Sequence, residues 1–298
     1  MRTFTVPLGI DLRRSLAPLV SSAQDPTIRL RPDEVVRATW TPDGPATVHI
    51  ARRGPRTFAA QAHGDGAAWA LDHAPALVGA DDVLDGFDPG IHPTVARAHH
   101  QRRDLRIVRT GTVWGLLAAT ILAQRVTGGE AARAWTRLVR GHGSPAPGPY
   151  GLRLPPTPQA CGAIEDHTWH RLGVERSRAA AVRSAARHAA KLESALALPR
   201  EARLRAFCLV PGIGPWTAEL ALRSAAGDPD AVEVGDFHVK NQVAWNLAGR
   251  PRGTDEEMLG LLEPFAGHRG RVVRLIGSAG QRPPAFGPRL RVVPVDRL

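Results

Sequence analysis

The sequence predicts an α+β protein, with a small α+β unit over residues 1–88 followed by an all-α unit over residues 89–298. Three observations predict it. Before residue 90 the chain runs in short alternating or β-branched stretches separated by Pro/Gly turns. After it, helical patterns dominate, rich in Ala, Leu and Arg. Hydrophobic residues make up 43% of the 298, enough for a buried core in each unit.

In chain order, "TFTVPL" (3–8), "VVRATWT" (35–41) and "ATVHIARRG" (46–54) read as strands, joined by turns such as "TPDGP" and "RRGPR". "GDGAAWALDHAPALVG" (64–79) reads as a helix and "DGFDPGIHP" (85–93) as a linker. Helices are then expected over 111–125 and 130–141, the second stopped by Gly141. A Pro-rich loop fills 143–158. Residues 177–198 form a helix in which Arg183, Arg187 and Lys191 recur every four positions. That stripe is either a solvated face or a flank turned toward phosphates. Two helices, 203–210 and 215–226, surround "PGIG"; another begins at Asp236, and 255–264 and 268–276 are shorter. The tail from Gly277 reads as irregular.

The apolar run "VWGLLAATILA" (113–123) is too short to span a bilayer and reads as a buried helix. No signal-peptide core opens the chain, so a cytoplasmic location is expected. Cys161 and Cys208 lack paired-ligand spacing and cannot build a zinc finger or an iron–sulfur cluster. Against 28 acidic residues stand 39 basic ones, a net charge of +11, and only Lys191 and Lys240 among them are lysines. Arginine offers a planar fork of donors suited to phosphate oxygens. A GC-rich genome would also load a protein with Arg, so charge alone leaves a polyanionic partner open.

The most informative stretch is "CLVPGIGPWTAE" (208–219). Gly212 and Gly214 can take the positive φ that other residues resist, and Pro215 suits the first turn of a new helix. Two helices joined this tightly leave the second helix's unpaired amides pointing outward, where they can bind an anion. Asp236 follows 22 residues after Gly214, within "VEVGDFHVKN". By itself an Asp at that place is a helix cap, and a cap is also held rigid, as a catalytic carboxylate must be.

"LVPGIGPWTA…DAVEVGDFHVKNQV" resembles the helix–hairpin–helix base-excision DNA glycosylase superfamily, and within it the DNA-3-methyladenine glycosylase II branch. "AATILAQRVTGGEAARAWTRLV" (118–139) and "PPTPQACGAI" (155–164) extend the resemblance over roughly residues 88–276. It implies that 89–298 is a glycosylase domain of two helical subdomains with the DNA cleft between them. It also implies that the enzyme flips an alkylated purine of the 3-methyladenine or 7-methylguanine type out of duplex DNA and hydrolyses its N-glycosidic bond. Asp236 is the implied catalytic residue, and Trp216 and Leu220 line the implied base pocket. DNA contacts fall to Gly212, Ile213, Gly214, Thr217, Gln124, Arg125 and Lys240. Carbonyls of Cys208, Val210 and Ile213 are the implied holders of a monovalent cation, Na+ or K+; no other cofactor is expected. Double-stranded DNA is the implied partner, and a monomer suffices.

Bifunctional relatives carry a nucleophilic Lys where Trp216 stands, so a monofunctional enzyme using water is expected. Trp216 can equally serve core packing. Three positions depart from the branch: Arg125 replaces an apolar wedge tip, Leu220 an aromatic, and Gly277 a late tryptophan. The competing reading is a non-catalytic helix–hairpin–helix DNA-binding protein in which Asp236 only caps. Least favoured is a glycosylase/lyase drawing a Lys from elsewhere.

Overall fold

The computed structural model describes residues 1–284. Five antiparallel strands form one sheet in the order β1-β5-β4-β3-β2: β1 (Arg2–Thr5), β2 (Ile28–Leu30), β3 (Glu34–Thr41), β4 (Gly44–Arg52) and β5 (Thr57–His63). Between β1 and β2 lies α1 (Leu12–Leu16), and after β5 come α2 (Ala67–Asp72) and α3 (Ala74–Val78). Val35, Val48, Ile50 and Phe58 on one sheet face pack with Leu12, Leu16 and Leu77 of these helices. On the other face Val36, Ala38 and Trp40 meet Leu152 and Leu154 from the Pro-rich loop.

The expected strands are present, the first shortened to four residues and the third shifted two residues toward the N-terminus, and two others were not foreseen. β2 has three residues and β5 is "TFAAQAH", too short or too Ala-rich to show a strand pattern alone. The single helix expected over 64–79 breaks at His73, where Pro75 opens α3.

The helical region comprises α4 (Pro93–Gln101), α5 (Trp114–Leu122), α6 (Gly128–His142), α7 (Pro158–Ala163), α8 (Asp166–Arg171), α9 (Arg176–Arg187), α10 (Ala189–Ser194), α11 (Arg200–Cys208), α12 (Pro215–Leu222), α13 (Val239–Ala248), α14 (Asp255–Leu262) and α15 (Arg269–Ala279). It holds two apolar clusters. One gathers α5 through α12 around Leu117, Ile121, Leu138, Trp169 and Phe207. The other joins Val95 of α4 to α13, α14 and α15 through Val243, Met258, Leu262 and Ile276. The chain passes from the first cluster to the second through residues 228–238, and Asp236 lies on that crossing.

Start signals explain where several helices begin. Thr127 and Glu130 form a reciprocal capping box on α6, and Thr254 and Glu257 form one on α14. The helix expected over 177–198 is broken at His188, so Arg187 and Lys191 lie on different helices. Arg183 pairs with Asp166 and donates to the Ile164 carbonyl. The basic stripe is therefore no continuous face. The irregular tail expected from Gly277 is a correction in part, since α15 runs through Gly277 to Ala279; residues 285–298 lie outside the described residues. Among the described residues no helix is long and apolar enough to cross a membrane.

Candidate active site

The hairpin is built by α11, the turn over residues 209–214, and α12. Only one of its glycines needs positive φ. Gly212 has φ +88°, and a Cβ there would stand 2.5 Å from the Ala181 Cβ of α9. Gly214 is extended (φ −95°, ψ 177°), and a Cβ on it would meet nothing within 4 Å. The first glycine is thus required by the fold, whereas the second keeps the approach to the α12 N-terminus open. Gly212→Ala is expected to cost about 2–3 kcal/mol, from left-handed strain plus overpacking on α9. Gly214→Ala should leave the melting temperature within about 2 °C, a change under 0.5 kcal/mol. Thermal unfolding of the two variants checks both values.

Behind the turn the two helices are braced. Arg200 of α11 donates to Glu219 of α12 at 2.8 Å and lies 2.9 Å from Asp228. Burial pushes the Glu219 carboxyl up to about 7, with Arg200 opposing that rise. Ile213 is buried in the larger helical cluster and anchors the turn.

Asp236 is held by three donors. Its Oδ1 accepts the amides of His238 at 2.7 Å and Val239 at 2.9 Å, and its Oδ2 accepts the Trp216 indole Nε1–H at 3.1 Å. The expected cap is present, although α13 begins three residues later, at Val239. Trp216 thus positions the carboxylate across the gap between the two helical clusters. Nothing in the local sequence signals that bond.

Lys240 does not present a free ammonium. Its Nζ pairs with Asp255 at 3.1 Å, and the same carboxylate accepts the Gly235 amide at 3.0 Å. Lys240 and Asp255 thereby steady the loop that carries Asp236, and the ammonium expected at the DNA surface is already paired within the protein. Thr217 is 2% exposed, and its hydroxyl accepts a hydrogen bond from Gln124 Nε2 at 2.9 Å. It is turned inward, away from any phosphate approaching the surface. Gln124 also donates to the Gly212 carbonyl at 2.9 Å, so the turn after α5 is tied to the hairpin.

Beside Gln124, Arg125 is exposed and has φ +55°, the one non-glycine residue with positive φ among those described. Left-handed backbone at a side chain without special local bonding is strained, and such strain gathers at working surfaces. Two large apolar side chains are also exposed here: Phe237, next to Asp236, at 74% and Leu209 at 82%.

Leu220 lies one turn past Trp216 on α12 and lines a cavity of about 240 Å³ between α5, α6, α12 and the segment after α1. Trp216 is not among its lining residues. The last turn of α12 widens into a π-type turn over Arg223–Gly227, an irregularity frequent at functional sites. Arg223 also lines the cavity and pairs with Glu233. Burial pushes its guanidinium down to about 9, with Arg274 adding to the fall and Asp236 opposing it.

Of the three carbonyls expected to hold a cation, that of Val210 accepts the Ile213 amide at 3.0 Å. Those of Cys208 and Ile213 accept no backbone hydrogen bond among the described residues. Uncommitted oxygens at a helix end suit a hard monovalent cation.

No protein-family model matches the chain. A curated Mycobacterium tuberculosis protein, described as a probable bifunctional transcriptional activator/DNA repair enzyme AlkA, is 31% identical over 159 residues, covering 52% of this chain and 31% of its own. The chain thus spans about a third of the length of that relative, by the 31% covered. Among solved structures, the 3-methyladenine DNA-glycosylase from Archaeoglobus fulgidus superposes with a TM-score of 0.79 at 16% identity, covering 92% of this chain and 97% of that one. The Clostridium acetobutylicum 8-oxoguanine glycosylase/lyase, solved with double-stranded DNA, gives 0.69 at 12% identity, with 90% of each chain covered. A Schizosaccharomyces pombe 3-methyladenine DNA glycosylase in complex with abasic DNA gives 0.52 at 18%, covering 63% and 91%. In fold, then, the chain is similar to these 3-methyladenine and 8-oxoguanine DNA glycosylases, and about half of it is similar in sequence to the Mycobacterium tuberculosis AlkA protein.

Proposed function

We propose that the protein is a monofunctional DNA glycosylase that hydrolyses the N-glycosidic bond of an alkylated purine extruded from duplex DNA. The observation that carries this reading is the Asp236 carboxylate, fixed by an indole and two amides beside an open hairpin. The hairpin amides at the α12 N-terminus take a phosphate without reading sequence. Arg125 enters the stack where the nucleotide leaves. The Cys208 and Ile213 carbonyls would hold a monovalent cation, which would supply positive charge for an approaching phosphate. No dimer is required, and the division at residue 88 separates a sheet unit from the catalytic helices.

The chemistry needs one anion. An alkylated purine already carries positive charge, so the C1′–N bond breaks with its electron pair passing to the base, which leaves neutral. Asp236 stabilises the oxocarbenium-like sugar, and a water oxygen bonds to C1′ while its proton passes to the carboxylate or to solvent. Trp216 occupies the place where an amine would form a Schiff base, so the product is an intact abasic site.

The test is base release from duplexes carrying 3-methyladenine or 7-methylguanine. Strand scission should require added alkali, and borohydride should trap no covalent complex. DNA bound with no base released across an alkylated panel would leave the protein a binding module. A trapped adduct would make it a lyase.

The wedge supplies a separate check. Arg125→Gly removes left-handed strain of about 1 kcal/mol, so the variant should melt at or above the wild-type temperature. Base release from duplex should nevertheless fall by about tenfold or more, about 1.4 kcal/mol or more in barrier. Release from single strands, where nothing must be unstacked, should change little. Equal losses on both substrates would assign Arg125 a different role.

A further inference from the structure

The cavity behind Leu220 contains a group that neither the fold nor the glycosidic chemistry explains. Arg37, on β3 between Ile28 of β2 and Val48 of β4, lines it and is 8% exposed. Among the described residues its guanidinium makes no hydrogen bond and no ion pair. Burying a charged group without a partner is costly, and Arg is the side chain least able to escape by losing its proton.

The nearest carboxylates are committed elsewhere. Asp25 accepts both the amide and the hydroxyl of Ser21, the same pair from Thr27, and the Trp135 indole. Glu193 accepts the amides of Val113 and Trp114. Both reach Arg37 only through space, where they oppose its desolvation and keep it cationic at neutral pH, with its pKa lowered to about 10. Its donors are thus free to meet something that enters the cavity.

What fits is planar and carries acceptors. Leu19, Leu116, Ala119 and Leu220 give the cavity apolar walls, and its 240 Å³ exceeds the roughly 150 Å³ that accommodates benzene, leaving room for a bicyclic base. An Arg fork matches the paired O6 and N7 acceptors of a 6-oxopurine. A 6-aminopurine sets an N–H donor against it at the 6-position, leaving a buried donor unpaired.

Resting on the glycosylase reading above, we propose that this cavity receives the extruded base and that Arg37 reads its 6-position, so that the site prefers 6-oxopurines to 6-aminopurines. Among alkylated purines a guanine alkylated at N3, whose O6 and N7 both remain acceptors, is then favoured over the corresponding adenine, whereas a guanine alkylated at N7 offers the fork O6 alone. The carboxylates of Asp25 and Glu193 temper the repulsion between Arg37 and a cationic base.

The test needs no catalysis and so stands apart from base release. Binding of free hypoxanthine and free adenine to the full chain is measured by calorimetry, for wild type, Arg37→Met and Arg37→Lys. Hypoxanthine is expected to bind wild type at least tenfold more tightly than adenine. In Arg37→Met the ratio should fall below threefold while the adenine Kd stays within twofold. Arg37→Lys retains the charge but not the fork, so it should lose the preference too, and it serves if the Met variant fails to fold. Equal binding of the two bases, no binding of either, or an undiminished ratio in the folded variants would overturn the proposal. Base release that succeeds while these bases bind equally would leave the glycosylase reading intact and remove only Arg37's role.

Discussion

Asp236→Asn is expected to abolish base release almost completely while leaving the protein folded. Removing one preorganised electrostatic contact commonly costs about 100- to 1000-fold in rate, or ~2.7–4 kcal/mol. The Asn carbonyl can still accept the amides of His238 and Val239, so the start of α13 keeps its cap. The side-chain NH2 then faces the Trp216 N–H, which is the one bond lost without replacement. Full loss of a cap costs ~0.5–2 kcal/mol of stability, and here most of it survives. Single-turnover release of 3-methyladenine or 7-methylguanine, with binding to an abasic-site duplex as the fold and docking control, separates the two effects. A mutant that releases base at the wild-type rate would place the catalytic anion elsewhere.

The largest effect on stability should come from a residue remote from chemistry. Asp82 and Arg271 form a forked ion pair, with bonds of 2.6 and 2.8 Å and side chains only 2% and 3% exposed. Asp82 also accepts the Ile107 amide at 3.0 Å, and Arg271 donates to the Val83 carbonyl. The pair straps the segment after α3 to α15, joining the sheet unit to the second helical cluster. Asp82→Ala leaves a buried guanidinium without its partner, a change that costs about 3–5 kcal/mol. At about 2–4 °C per kcal/mol, the melting temperature should fall by roughly 6–20 °C. Arg2→Ala, which breaks the exposed pair with Asp72, should shift it little. A similar small shift for Asp82→Ala would show that the strap does not hold the units together.

That strap also shows why residues 85–93 read as a linker. Pro, Gly and Asp dominate the stretch, and such residues mark irregular backbone without saying whether it is anchored. Here Phe87 packs on the second helical cluster, and the Asp85 carbonyl meets His268 at 2.9 Å. The residues that anchor it lie nearly two hundred positions away.

The sequence by itself determined what depends on neighbours in the chain. The hairpin turn, the capping at Asp236, the capping-box helices and the spacing between hairpin and carboxylate are all written within short windows. Positive φ, unpaired helix amides and apolar periodicity are local physics. Tertiary structure alone decided which donors and acceptors would be spent on one another. Lys240 reads as a free cation until α14 brings Asp255 beside it. Thr217 reads as a surface hydroxyl until the turn after α5 covers it with Gln124. Trp216 meets Asp236 only because the two helical clusters face each other across the crossing loop. Arg37 reads as one more arginine in a strand, and its importance lies in having no hydrogen-bond or ion-pair partner among the described residues, a property only the folded surroundings confer. Burial and pairing arise from long-range packing, and one residue's chemistry does not reveal which distant group will satisfy it or leave it unsatisfied.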